Sequence, residues 1–248
     1  MAALDYLPER VHPAIYAGIA LVTFFAVLAW RAPAALIPHL VPQGGPVTLE
    51  RATGSLWQGR AELEPVGAVR WTINLLPLAW LKADIDWILE GDGLLVAGNL
   101  STRGGDVDIA RVKGQVSPSA VNPFLARYGM SVEGDVRLSE IEARLQGNAF
   151  THASGLLAWT GGTVNYQLGG KSFTIDMPPL SAVLRMQEDA PTLDISMPGS
   201  GETVMQITLN SEGWAELKMT KRFLEVAGFP WQGNSAETYV LVVSEKLF

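Results

Sequence analysis

Residues 83–93 read Ala-Asp-Ile-Asp-Trp-Ile-Leu-Glu-Gly-Asp-Gly, and their spacing decides the fold. Ala83, Ile85, Trp87 and Leu89 fall on every second position, with Asp84 and Asp86 between them. Side chains of an extended chain point alternately to opposite sides, so this spacing makes a strand with one apolar face. Gly91-Asp-Gly93 then supplies a tight turn. The same pattern recurs on both sides. Val69, Trp71 and Ile73 alternate with Arg70 and Thr72. Further on come Val164/Tyr166/Leu168, Phe173/Ile175/Met177, Leu193/Ile195/Met197, Met205/Ile207/Leu209 and Ala215/Leu217/Met219. Turns are marked by glycine pairs at 104–105, 161–162 and 169–170 and by Pro198-Gly-Ser-Gly201.

One stretch breaks phase. Val132, Val136 and Leu138 are even, whereas Ile141, Ala143 and Leu145 are odd, which predicts a bulge or tight turn near Ser139-Glu140. Only Pro118–Tyr128 and Lys221–Ala227 read as helices, and Leu76–Leu81 and Pro179–Arg185 each read as a single turn after a proline. The helices are too few and too short to cover so many one-sided strands. The apolar face must curl onto itself, pack against another part of the sheet, or meet a partner or lipid.

Composition bounds the rest. The 248 residues are 48% hydrophobic and 17% charged, which suits a folded rather than a disordered chain. The net charge of −7, with no basic patch, gives nucleic-acid binding no support. The absence of cysteine excludes disulfides, thiolate metal sites and cysteine nucleophiles.

Val11 to Trp30 is a run of 20 residues without Asp, Glu, Lys or Arg. That is the length a helix needs to cross about 30 Å of hydrocarbon. Tyr16 and Trp30 lie near its two ends, as interfacial aromatics do. The leader 1–10 carries Asp5, Glu9 and Arg10, and Pro33 interrupts Ala32-x-Ala34, so a retained anchor fits better than a cleaved signal peptide. The expected layout is a cytoplasmic leader at 1–10, a transmembrane helix at 11–30 and a proline-rich linker at 31–46.

The β-rich remainder repeats itself. Ala52-Thr-Gly-Ser-Leu-Trp57-Gln-Gly59 resembles Ala153-Ser-Gly-Leu-Leu-Ala-Trp159-Thr-Gly161, and Pro77 matches Pro178 at an offset of 101. Phe124–Gly134 matches Phe223–Gly233 at an offset of 99. Three matches in one order predict two similar units, 47–150 and 151–248, each about a hundred residues long and continuing one sheet. The expected fold is therefore mainly β, with one N-terminal transmembrane helix followed by a curved antiparallel sheet, half-barrel or sandwich-like, and short helices.

Chemistry-bearing constellations are sparse. His12, His39 and His152 are scattered without metal-site spacing. No Gly-x-Ser-x-Gly, Walker loop or dinucleotide fingerprint occurs. Asp84 and Asp86 read as a solvated outer strand face, and Asp92 as a turn residue. Glu62 and Glu64 share a face but have no second acid at a known separation. No catalytic residue, metal site or cofactor is expected.

Val47-Thr-Leu-Glu-Arg-Ala-Thr-Gly54-Ser-Leu56-Trp57-Gln-Gly59-Arg-Ala61 resembles the signature of the type II secretion system protein N family, in which Gly-x-Leu-Trp-x-Gly-x-Ala follows an anchor and a proline-bearing linker. The tryptophan strand and Leu-x-Pro turn that come next look like Val69-Arg-Trp71 and Leu75-Leu-Pro77. The resemblance implies an inner-membrane accessory component of the secretion apparatus with a periplasmic domain and no enzymatic activity. Its partners would be other inner-membrane or periplasmic secretion proteins, and the membrane itself through 11–30. The family also looks related to AsmA-like envelope domains, whose curved sheets are associated with lipid handling, so an envelope lipid-binding or lipid-transfer module with an apolar groove is the alternative. Gly54, Leu56, Trp57, Gly59, Trp71 and Pro77, with the repeat counterparts Gly155, Trp159, Gly161 and Pro178, are expected to be structural. Trp57, Trp71, Trp80 and Trp87 are expected to stack across neighbouring strands.

Overall fold

The computed structural model describes residues 31–36, 48–147, 149–199, 201–229, 231–233 and 235–246. The predicted leader and transmembrane helix, and most of the linker, lie outside the described residues. Among the described residues no helix is long and apolar enough to cross a membrane.

The alternating stretch 83–89 lies within a strand, β4 (Lys82–Gly91), which turns at Gly91–Gly93 into β5 (Leu94–Arg103). Before it come β1 (Thr48–Gly54), β2 (Gln58–Glu64) and β3 (Gly67–Ile73). After it come β6 (Asp106–Val116), α1 (Pro118–Leu125), β7 (Met130–Val132), β8 (Val136–Gln146) and β9 (Ala149–Trp159). The chain continues through β10 (Gly162–Leu168), β11 (Lys171–Met177), β12 (Leu180–Gln187), β13 (Ala190–Ser196), β14 (Thr203–Leu209), β15 (Trp214–Thr220), α2 (Lys221–Val226) and β16 (Tyr239–Lys246).

Thirteen strands form one antiparallel sheet in the order β1-β2-β3-β4-β5-β6-β8-β9-β12-β13-β14-β15-β16. The three others make a small sheet, β11-β10-β7. β1 and β16 each pair on one side only among the described residues, so the large sheet is open, not a closed barrel. The expected antiparallel sheet is thus present as one continuous thirteen-stranded sheet, accompanied by the small three-stranded one. β8 and β9 meet as a hairpin, so pairing runs unbroken through residue 150. Pro179–Arg185, expected as a single turn, belongs to β12. Leu180, Ala182 and Leu184 alternate there and pair with β9 on one side and β13 on the other. Pro178 and Pro179 stand just before the strand, where a missing N–H costs no ladder bond.

Register fixes which side chains share a face. Val69, Trp71 and Ile73 pair with Leu89, Trp87 and Ile85, which pair in turn with Val96, Gly98 and Leu100. The row continues through Ile109 and Val112, Ile141 and Ala143, Leu157 and Trp159, and Ala182 and Leu184. It ends in Leu193 and Ile195, Ile207 and Met205, Leu217 and Met219, and Val243 and Leu241. One apolar row thus crosses eleven strands of the sheet, from β3 to β16. Most of these side chains are half-buried, and Ala61, Val96, Val112, Ala153 and Ala182 are fully buried. The helices pack at one end, α1 against β7 and α2 against β14 and β15. The cover therefore comes largely from the sheet's own curvature. Neighbouring strands lie about 4.8 Å apart, which puts next-but-one strands about 9.6 Å apart in a flat sheet. Cα atoms of β9 and β13, with β12 between them, approach within 8 Å.

Irregular pairing clusters on the neighbouring strands β5, β6 and β8. Pairing slips between Ala97 and Asn99 on β5, on both sides of Val112 on β6, and between Ser139 and Glu142 on β8. Arg111 (φ 56°) and Glu140 (φ 52°) take left-handed backbone there. The phase slip in the sequence at Ser139-Glu140 is this bulge. Gly98 sits beside it because a Cβ would lie 2.8 Å from both the Trp87 ring and Val112 Cγ2. Replacing Gly98 by Ala is expected to cost about 1–3 kcal/mol through this overlap. Adding Trp87→Leu should recover part of that loss, because the ring is one of the two obstacles. Urea unfolding of the two single variants and the double variant measures the coupling.

Candidate functional site

Two places gather the singled-out residues: the β1–β2–β3 junction and the polar face of β4–β6. At the junction, Gly54 (φ 94°) ends β1, and a Cβ on it would lie 2.6 Å from Gln58 O. Ser55 N donates to Gln58 O (2.9 Å), and Gln58 N donates to Ser55 Oγ (3.1 Å), closing the turn. The Trp71 indole lies on Gly59, where a Cβ would overlap its ring, and its Nε1–H donates to Leu56 O (3.0 Å). Ile73 N donates to Trp57 O (2.7 Å). Gly54, Leu56, Trp57, Gly59 and Trp71 thus form one interlocked corner, with Pro77 nearby in the single turn Leu76–Trp80 between β3 and β4. The segment leaving the apolar run closes onto the same corner: Leu56 N donates to Ala32 O (2.8 Å), and Pro33 bridges Ser55. Ala34 is fully buried beside them.

The expected four-tryptophan stack is corrected. Trp71 and Trp87 are direct cross-strand partners on β3 and β4. Trp57, by contrast, lies in the β1–β2 turn, and Trp80 stands exposed in the turn before β4. Each of the paired rings instead fills the space above a glycine, Trp71 over Gly59 and Trp87 over Gly98.

The repeat counterparts occupy a different local setting with one shared device. Gly155 lies inside β9 against Ile141, Trp159 ends that strand, Gly161 (φ 76°) packs on Met177 O and Pro178, and Pro178 precedes β12. The Trp159 Nε1–H donates to Glu133 O (2.9 Å), as that of Trp71 donates to Leu56 O. Beyond it, Tyr166 stacks on Phe173 (5.2 Å between centroids), and Phe229 closes the cluster from the segment after α2.

On the polar face, Asp86 is exposed and Asp84 half-buried, in line with the solvated strand face expected, and both carboxylates are in addition hydrogen-bonded. Asn99 Nδ2 donates to Asp84 (2.7 Å) and Asp86 (2.9 Å), and Asn74 Nδ2 donates to the same two carboxylates (3.0 and 3.1 Å). Arg111 adds a bond to Asp86 (3.1 Å) from the β6 bulge. Asn99 is buried, and the two amides stabilise the ionised form of Asp84. The hydrogen bond from Asn99, then that from Asn74, hold the Asp84 carboxyl below its ordinary value. Next to this clasp the bulges leave a depression of about 620 Å³ lined by Arg111, Lys113, Ser139, Glu140, Glu142 and Ser154. His152, exposed at its rim, lies 3.2 Å from Ser154 Oγ and 4.0 Å from Glu142. His12 and His39 fall outside the described residues, and so does Asn148 of the β8–β9 turn.

Sequence reading missed the clasp because its amides are 25 residues apart and meet only through the β3–β4–β5 register. A lone asparagine within the apolar stretch Leu94–Leu100 was the available signal. Also missed was the exposed apolar turn at Leu75–Leu81.

An open antiparallel meander, organised by tryptophan–glycine packing and side-chain clasps on its polar face, defines the chain as a β-sheet scaffold. Residues 45–232 match the type II secretion system (T2SS), protein N, and the chain belongs to that family. No curated protein and no solved structure matches it.

Asn99→Ala should lower stability at neutral pH by about 1–3 kcal/mol, the cost of removing a donor to a carboxylate. Because the Asp84 carboxyl is held low in the folded protein, its contribution is present above the unfolded value and fades as pH falls through the folded one. The stability gap between the native chain and Asn99→Ala should therefore narrow on acidification below about pH 4. Denaturant titrations at neutral and acidic pH check both parts.

Proposed function

We propose that this chain is an inner-membrane accessory component of the type II secretion apparatus, anchored through 11–30, with its β-sheet on the periplasmic side. It acts by holding other secretion proteins rather than by catalysis. Family membership carries the secretion role, and the charge-free 20-residue run carries the anchor. The sheet supports the docking role through its last strand. β16 is an open edge among the described residues, and it presents Tyr239, Leu241, Val242 and Val243 as exposed side chains. Natural edges of that kind are usually shielded by charge, and this one offers unpaired backbone and apolar side chains to a partner strand. Full-length chain isolated from native membranes should bring down inner-membrane secretion components. Leu241→Lys with Val243→Lys should weaken that capture about tenfold, a change of about 1.4 kcal/mol, without unfolding the domain. Recovery of no secretion protein by the native chain would refute the role.

A second reading rests on the continuous apolar face. An envelope module that shelters lipid chains would use such a face, and it predicts phospholipid in fixed ratio to protein after purification. Lipid-free protein, checked by native mass spectrometry, would remove it.

A further inference from the structure

The strongest exposed apolar patch lies in the turn between β3 and β4. Leu76, Trp80 and Leu81 are 83%, 69% and 87% exposed, and Leu75 is partly so. Four such side chains in seven residues, standing in water, need an occupant. Leu81 adds a second peculiarity: it takes left-handed backbone (φ 56°), a region a leucine rarely adopts. Its N–H bonds back to Leu78 O and Pro77 O, which fixes the turn with the leucine outward.

The position of the turn says what that occupant is. The apolar run 11–30 ends at Arg31. The next residues, Ala32 and Pro33, are bonded to Leu56 and Ser55 at the β1–β2 turn. Trp57 of that turn holds Ile73, the last residue of β3, and the exposed turn begins at once beyond it. The greasy turn and the residues that follow the chain's apolar run are thus tied to the same corner. Charge agrees. Lys82 and Arg103 are direct cross-strand neighbours at the base of the turn, and Arg31 is exposed at the end of the run. Two cations side by side repel each other unless something anionic faces them. The nearby carboxylates are Asp106, paired to Arg103 in the next strand, and Asp84 and Asp86, held in the asparagine clasp. The remaining turns at this end of the sheet are polar: Gly104-Gly105, Glu188-Asp189 and Asn210–Gly213.

We propose that the Leu75–Leu81 turn inserts into the headgroup layer of an anionic phospholipid bilayer, with Lys82 and Arg103 on the phosphates, and so clamps the sheet to the membrane beside its anchor. Leucine and tryptophan at the interface with lysine and arginine behind them is the composition that such a contact needs. The proposal rests on the anchor reading given above and adds a second, independent membrane contact to it.

The native chain has no cysteine, so single labels are unambiguous. Full-length chain carrying Leu76→Cys, Leu81→Cys, Ser211→Cys or Ala20→Cys, each spin-labelled, is reconstituted in vesicles of phosphatidylethanolamine and phosphatidylglycerol. Collisions with oxygen and with a water-soluble nickel chelate report depth. The label at 20 is the check on the anchor, and that at 211 the check on a polar turn at the same end of the sheet, after β14, seven strands from β4 in the sheet order. The expected result is oxygen-rich, nickel-poor labels at 76, 81 and 20, and a nickel-accessible label at 211. Replacing phosphatidylglycerol by phosphatidylcholine should raise nickel access at 76 and 81 and leave 20 unchanged. Labels at 76 and 81 as accessible as 211, with 20 still shielded, would overturn the clamp and leave the anchor standing. A nickel-accessible label at 20 would overturn both. Leu76 and Leu81 are almost wholly exposed, so these substitutions leave the fold intact.

Discussion

A sheet thirteen strands wide with one apolar face has to bend, and every other feature of this molecule follows from that constraint. Burial is worth roughly 25 cal/mol per Å² of apolar surface, so leaving the face flat and wet would forfeit the main driving force for folding. A sandwich solves the problem with a second sheet, and a barrel by closure. Here the large sheet does not close, and the second sheet has only three strands. Side chains on the inner face instead crowd one another across next-but-one strands, which needs curvature and therefore irregular backbone. Bulges on the paired strands β6 and β8 introduce such irregular backbone. Glycines at 98 and 155 lie on the strands flanking that pair and remove the side chains that would overlap it.

On the outer face, polar side chains opposite the apolar row are held by mutual pairing. Asn99 and Asn74 bind both Asp84 and Asp86, and Arg185 (2.6 Å) and Gln206 (2.8 Å) bind Asp194 in the same manner farther along the sheet. Asp194 and Asn99 are buried although they belong to the polar face. Such clasps pin the register, since a slip of one residue would move every carboxylate to the apolar side. Ion pairs with exposed partners, such as Arg51 with Glu62 (3.5 Å), contribute little by comparison.

Local spacing made much of this legible. Alternation located the strands, the phase change at Ser139-Glu140 located the β8 bulge, and two short helical stretches became α1 and α2. What escaped depends on pairing between distant segments. Pro178-Pro179 reads as a helix start in isolation, yet β9 and β13 offer a ladder on each side and draw Leu180–Gln187 into the sheet. The clasp around Asp84 and Asp86 escaped because its asparagines come from the β3–β4 turn and from β5. The repeated motifs show the same limit. Phe124–Gly134 and Phe223–Gly233 each run through a short helix and a left-handed glycine, Gly129 or Gly228, to a second such glycine. Gly54, however, ends a strand at a turn, whereas Gly155 lies within one. Likeness in sequence transferred the local geometry of the helix ends and not that of the strands.

The open architecture also decides where contacts with other molecules can form. A closed barrel hides its backbone and offers only side chains, whereas an open meander keeps two edges. At β1 the edge lies beside the segment that comes from the apolar run, tied down by Ala32 and Pro33. β16 lies twelve strands away in the sheet order and has no such tether among the described residues. Stiffness then links the two: bulges, tryptophan–glycine packing and carboxylate clasps hold the strands between them in one curved surface. A molecule tethered at its first strand and open at its last presents that last edge at a fixed distance and angle from the tether. For the docking role proposed above, that presentation is what a sheet between tether and edge provides and a flexible linker does not.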